Sequence, residues 1–143
     1  MPLQTIFYTK VTDHDATQRY PLGTIRIEGS KTYKYVKSSG IITTGDAVTM
    51  AAAGTVKVHA ANLAPVGANF TGASSADTEF FWMQIGGETP VTDTSGSTAA
   101  GYPLYAVDAT GLVSGAAASA TAIGNSVVSL DNASGYGELS GLL

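Results

Sequence analysis

From residue 24 to residue 37 apolar and polar positions alternate twice around a Gly-Ser pair. Ile25 and Ile27 stand against Thr24, Arg26 and Glu28; after Gly29-Ser30, the set Lys31, Tyr33, Tyr35 and Lys37 stands against Thr32, Lys34 and Val36. A period of two on both sides of a turn dipeptide predicts a β-hairpin. Neither face of its second strand is cleanly apolar, which predicts that the hairpin lies at a sheet edge or against a partner. The most hydrophobic stretch, TEFFWMQIGG at 78–87, sets Phe80, Trp82 and Gln84 against Phe81, Met83 and Ile85. With both faces largely apolar it reads as a central strand, ended by Gly86-Gly87. Shorter strands are expected at 54–59, 66–70, 104–107 and 122–130. The Thr-, Ser-, Gly- and Pro-rich stretch 89–103 predicts a loop, and 114–122 a loop or a single helical turn.

Glycine spacing adds a second level of order. GDAVTMAAAGTV from Gly45 and GYPLYAVDATGLV from Gly101 each run from a glycine through a small apolar strand to a second glycine. Gly54 to Gly67 and Gly111 to Gly124 then repeat the same interval. The expectation is two related strand-turn-strand units, with Gly54 and Gly111 at the φ > 0 position of a tight turn. The fold class predicted is all-β: a small single-domain sandwich or barrel with two pseudo-repeated units over 21–143, preceded by an N-terminal arm over 1–20.

Composition agrees with this. Of 143 residues only 13% are charged against 44% hydrophobic, and 17 are glycine. The Leu, Glu, Lys, Gln and Arg of long amphipathic helices are scarce. A chain of this length buries roughly 70% of its unfolded surface, enough for one core without staples. The absence of cysteine excludes disulfides and thiolate metal sites. No window approaches the ~20 apolar residues that span a bilayer, and the first residues lack a secretory pattern, so a soluble protein with no membrane partner is expected.

Charge changes the picture more. Residues 1–57 hold all seven Lys and Arg and four acids, a net +3; from 58 onward there are seven acids and no Lys or Arg, a net −7. Such polarity suits head-to-tail contact between copies, a basic footprint on an acidic partner, or simply two unlike faces of one fold. Four of the seven cations, Arg26, Lys31, Lys34 and Lys37, lie on the hairpin with Tyr33 and Tyr35. Cations among aromatics are a pattern of single-strand nucleic-acid binders, but an acidic remainder would repel a polyanion, so no nucleic acid is expected. The hairpin reads instead as a protein-facing edge. Its cations would meet carboxylates on a neighbouring copy or another protein, with the two tyrosines supplying contact area.

Catalytic constellations are sparse. His14 lies between Asp13 and Asp15 and could join them around a divalent cation, but nothing nearby completes the shell, and a solvated loop is the simpler reading. His59 reads as an edge residue. No nucleophile elbow and no phosphate-binding loop is present in the sequence. DNASGYGE at 131–138 lacks the alternate carboxylates of a calcium loop. No enzyme, no metal and no cofactor are expected.

The order of these features resembles a family. Leu22-Gly23-Thr24, the run 31–37, Gly45-Asp-Ala-Val, Trp82-Met-Gln-Ile-Gly86, then VDATGLV at 107–113 and Ala122-Ile-Gly124 are similar, in pattern and order over 22–130, to the small head decoration, or cement, proteins of tailed bacteriophages. The resemblance implies a non-enzymatic, β-rich protein, often a homotrimer. Made in the host cytoplasm, it would bind the major capsid protein on the outer surface of the virion and clamp neighbouring capsomers. It also implies that an N-terminal arm, here with Ile6, Phe7 and Tyr8 as apolar anchor, takes part in capsid contact. A receptor- or glycan-binding module of a tail or head fibre, using the loop at 89–103, is the alternative.

Overall fold

The computed structural model describes residues 6–43, 45–58 and 78–90, together with the strands at 65–68, 105–107, 113–114, 120–122, 127–129 and 136–139. The described residues contain strands and no helix. β1 (Ile25–Glu28) and β2 (Lys31–Ser38) form the expected antiparallel hairpin, with Ile25 opposite Lys34 and Glu28 opposite Lys31. That register leaves Gly29-Ser30 as a two-residue turn, and Gly29 takes φ 58°, a conformation that favours glycine. A second hairpin joins β3 (Ala47–Ala52) to β4 (Thr55–Val58) through Gly54 at φ 71°. β5 (Pro65–Ala68) and β6 (Phe80–Pro90) follow.

The hairpin lies at an edge of the sheet, as expected, while its second strand is interior. β2 pairs with β6 along Thr32 to Lys37, with β1 on its other side and, at Lys37 and Ser38, with β4 in parallel. The edge falls to β1 alone. Mixed faces are compatible with an interior β2 because its polar members do not need open solvent: Lys37 lays its Nζ 5.6 Å from the centre of the Phe80 ring, and the tyrosines between the lysines are roofed by residues 6–20. From β2 the ladder runs through β4, β3 and β5 to β6, which pairs with β2 again, so five strands form a circuit. β7 (Tyr105–Val107), β8 (Val113–Ser114) and β9 (Ala120–Ala122) make a separate three-stranded sheet in the order β8-β7-β9.

β6 does not stop at its glycines. It runs on to Pro90 and exchanges partners there, from β2 to β11 (Tyr136–Leu139), which in turn carries β10 (Val127–Ser129) at the far end of the sheet. Thr32 faces Gly86 whereas Tyr33 faces Gln84, so Ile85 is the extra residue of a bulge. The buried Gln84 stabilises it: Nε2 donates to the carbonyls of Gly86 at 2.9 Å and Glu88 at 2.8 Å. Gly87 then turns the strand at φ 84°. The single strand expected at 122–130 is two, β9 and β10, in different sheets. β3–β4 and β7–β8 are antiparallel pairs in different sheets, while Gly111 and Gly124 lie outside the described residues.

Cores form on both faces of the β2–β6 pair. Val36, Phe81, Met83 and Ile85 pack with Ile42, Val48 and Val56 on one side. On the other, Tyr33, Tyr35 and Trp82 meet Phe7, Val11, Tyr20 and Phe80. Neighbours Phe81 and Trp82 are both fully buried, as a central strand requires.

Gly87 fixes the bend tightly. A Cβ there would lie 2.6 Å from the Ser30 carbonyl oxygen, backbone that cannot swing aside. Gly87→Ala is expected to cost roughly 2–4 kcal/mol in denaturant unfolding, left-handed strain plus the clash. Gly29→Ala, with a positive φ but nothing within 4 Å, should cost only the strain of roughly 1–2 kcal/mol; equal losses would contradict this account of the bend.

Candidate functional site

Residues 6–20 form a strap across the Trp82 face of β2 and β6. Its far end is tied by an isolated bridge, in which the Asp15 and Phe80 amides donate to each other's carbonyls at 3.0 and 2.8 Å. At the near end the Tyr20 hydroxyl accepts the Tyr8 and Thr9 amides at 2.7 and 3.2 Å, and Trp82 Nε1 donates to Thr9 Oγ1 at 3.1 Å. Phe7 packs edge-on against Trp82 and Tyr20, with ring centres 5.2 and 5.5 Å away.

Arg26 closes this clamp. Its guanidinium lies 4.9 Å from the Phe7 ring centre and 5.4 Å from that of Trp82, donates to the Thr9 carbonyl at 2.6 Å and pairs with Glu28. Arg26, expected to face a partner, is engaged within its own chain, with only 11% of its side chain exposed. The same holds for the contact area expected of Tyr33 and Tyr35, each 2% exposed in the second core. Burial, reinforced by Glu28 and opposed by Arg26, pushes the Tyr33 hydroxyl up to about 12. Burial also raises Tyr35, whose hydroxyl accepts the Arg19 amide at 3.2 Å. Of the three anchor residues, Phe7 is folded into the clamp while Ile6 and Tyr8 point outward, 68% and 88% exposed. Lys31, Lys34 and Lys37 are half-buried along β2.

The outward surface of β1 was missed in the sequence. Ile25 and Ile27 share the face of Lys34 and Thr32 across the hairpin, and they are 42% and 71% exposed. Beside them Leu22, Val36 and Met50 line a cavity of about 280 Å³, with Lys34 among its walls. Alternation identified Ile25 and Ile27 as a face but could not say that nothing from this chain covers it among the described residues. A larger, polar cleft of about 490 Å³ lies between Tyr8, Thr9, Asp13, Asp15, Arg19 and Tyr20. His14 turns away from it, stacked 5.5 Å over Phe81 with Nδ1 3.9 Å from Glu79. Among the described residues no three His, Asp or Glu side chains converge as metal ligands, and no helix is long and apolar enough to cross a membrane. His59 and the loop at 91–103 lie outside the described residues.

No protein-family model matches the chain, and neither a curated protein nor a solved structure matches it significantly. The site therefore has to be read from its own chemistry: a clamped strap, an apolar edge and a row of half-buried lysines.

Two predictions follow from the clamp and the stack. Arg26→Ala should lower stability by about 2–3 kcal/mol, from a lost buried hydrogen bond and two ring contacts, and speed proteolysis within 6–20; unchanged cleavage would deny Arg26 the clamp. Desolvation by burial holds His14 below its ordinary value of 6.5, against the opposing pull of Glu79, Asp13 and Asp15. On acidification the unfolded chain takes up this proton first, so His14's contribution is full above about pH 6.5 and is lost as pH falls through the lower folded value. His14→Phe, which keeps a ring over Phe81, should flatten the fall in melting temperature between about pH 7.5 and 5.5; an unaltered slope would assign the acid sensitivity elsewhere.

Proposed function

We propose that this chain is a non-enzymatic capsid decoration protein of a tailed bacteriophage, which binds the outer surface of the assembled head as an oligomer and stabilises contacts between capsomers. The observation that carries the reading is the surface made by β1 and its surroundings. Ile25, Ile27, Leu22 and Met50 are exposed beside Lys34, on a chain poor in surface charge and with cations in one half alone. Contiguous exposed apolar groups bordered by charge are a feature of surfaces made for contact. The ordered resemblance over 22–130 supplies the partner class. The five-strand circuit fits a small barrel, and the strap fits an arm whose outer residues, Ile6 and Tyr8, are offered to the shell. A protein that binds only the assembled shell stabilises it by mass action.

A second reading has one observation in its favour. The polar cleft joins the exposed Tyr8 ring to the Asp13, Asp15 and Arg19 side chains, chemistry suited to stacking and hydrogen-bonding a sugar. A glycan array bears on that alternative.

Heads lacking the protein should lose stability to heat and chelator and regain it on adding the purified chain. The Lys34→Glu/Lys37→Glu variant should restore less. Heads equally stable with and without the protein, or labelling that places it in the tail, would refute the decoration role.

A further inference from the structure

β1 turns half of its backbone away from the sheet. The Tyr35 amide donates to the Thr24 carbonyl at 2.9 Å, so Thr24 faces β2, and alternation along the strand gives the peptide groups of Arg26 and Glu28 the same direction. Glu28 opposite Lys31 then closes the two-residue turn. Ile25 and Ile27 therefore aim their N–H and C=O groups outward. β1 is a terminal strand, and among the described residues β2 is its one ladder partner.

An edge of this kind is ordinarily guarded by proline, by a bulge or by charge. The register of Ile25–Glu28 is unbroken and contains no proline. Its one cation, Arg26, is drawn inward over Phe7 and Trp82. The outward positions hold two isoleucines, 42% and 71% exposed, of a type that favours strands. Water satisfies such backbone groups but not the side chains beside them; a second strand satisfies both.

β1 itself has the pattern that fits. In an antiparallel pair of β1 strands from two copies, with the two-fold axis at Ile27, each Ile27 amide donates to the other's carbonyl. The same register sets Arg26 of each copy opposite Glu28 of the other, and the Glu28 side chain is 43% exposed. Because Arg26 also pairs with Glu28 of its own chain, the four charges alternate in sign. An axis at Arg26 would set the two arginines against each other, so charge selects the register centred on Ile27. The two Lys34 residues stay at least about 14 Å apart, three strand spacings, one strand in from the joined edge on either side.

We propose that two copies of this chain join edge to edge through β1, antiparallel about a two-fold axis at Ile27. The contact is isologous and closes at two, a pair in place of the trimer that the resemblance implies. It uses the rim of β1 and leaves the Lys34 cavity of each copy, with Leu22 and Met50, on one side of the joined sheet. The inference rests on the proposed function only for the use of that doubled face, and the pairing itself needs no capsid.

The test is sedimentation and light scattering on the full chain, whose natural sequence is expected to be a dimer. Ile27→Lys and Ile27→Glu, which set like charges face to face on the axis, should each weaken association roughly tenfold or more. An equimolar mixture of the two should associate again, because a residue on a two-fold axis meets its own equivalent. Ile27→Pro removes an amide that β2 does not use and should give a folded monomer. Circular dichroism and Trp82 fluorescence verify that each variant is folded. A monomeric natural chain, charged variants as associated as the parent, or a folded mixture that stays monomeric would each overturn the proposal. A natural chain that restores heads as a monomer would overturn this pairing and leave the decoration role standing; a dimer that fails to restore them would do the reverse.

Discussion

Burial on both faces of β6 is the constraint on which the structure depends. A strand with Phe81 on one side and Trp82 on the other, both fully buried, needs two separate covers. The first is the set of β2, β3 and β4 side chains Val36, Val48 and Val56 with Ile42. On the second face β2 sets Tyr33 and Tyr35 beside Trp82, and these rings need a cover as well. The chain supplies it from its own beginning: residues 6–20 lie back over Trp82, and Tyr20, Phe7 and Tyr35 surround the indole at 4.9 to 5.4 Å between ring centres. Truncating a buried Trp or Phe costs about 3–5 kcal/mol, comparable with much of the net stability of a small domain.

From that requirement the rest of the strap's chemistry follows. Covering aromatic rings with an irregular segment exposes backbone amides and carbonyls that no ladder satisfies. Here several of these groups near the indole find a side chain. The Tyr20 hydroxyl receives two amides, the Thr9 hydroxyl receives the indole N–H, and Arg26 bonds the Thr9 carbonyl while resting on the rings. Buried Ser38 does the equivalent work where the chain enters β6: its hydroxyl donates to the Glu79 carbonyl at 3.1 Å and accepts the Glu79 amide at 3.0 Å. Polar residues thus stabilise the second core by closing its backbone account.

These pairings explain what could and could not be read in the sequence. The hairpin turn, the β3–β4 turn at Gly54 and the centrality of β6 were legible because each depends on a local period or on a glycine that must take positive φ. The rank of β2 was not, because centrality there is conferred by residues 6–20, fifty and more positions from β6, and no local pattern links Thr9 to Trp82. The same cause turned Arg26, Tyr33 and Tyr35 from expected surface into interior. Gly86-Gly87 read as a strand end because glycine usually interrupts a ladder. In this chain Gln84 spans the interruption with its own amide, and the strand survives it. The surface of β1 escaped notice for the opposite reason: Ile25 and Ile27 look like core residues, and only the three-dimensional arrangement leaves them uncovered.

The distribution of charge then acquires a structural meaning. Cations near the chain's start serve two roles that compete for the same residues: Arg26 is spent inside the clamp, and Lys37 rides on Phe80. Lys34 differs from both, since its neighbours are the apolar walls of a small cavity and the exposed Ile25. A lysine whose stem is packed loses less side-chain entropy on meeting a carboxylate than a free surface lysine would, because that stem is already ordered. Such a contact can be modest in each copy and still matter. When identical subunits repeat over a symmetric surface, the second and later attachments form at high effective concentration, and weak unit contacts add to a stable whole. A small interface with one pre-ordered cation and a few exposed isoleucines is therefore sufficient for the work proposed, provided that the chain acts in many copies.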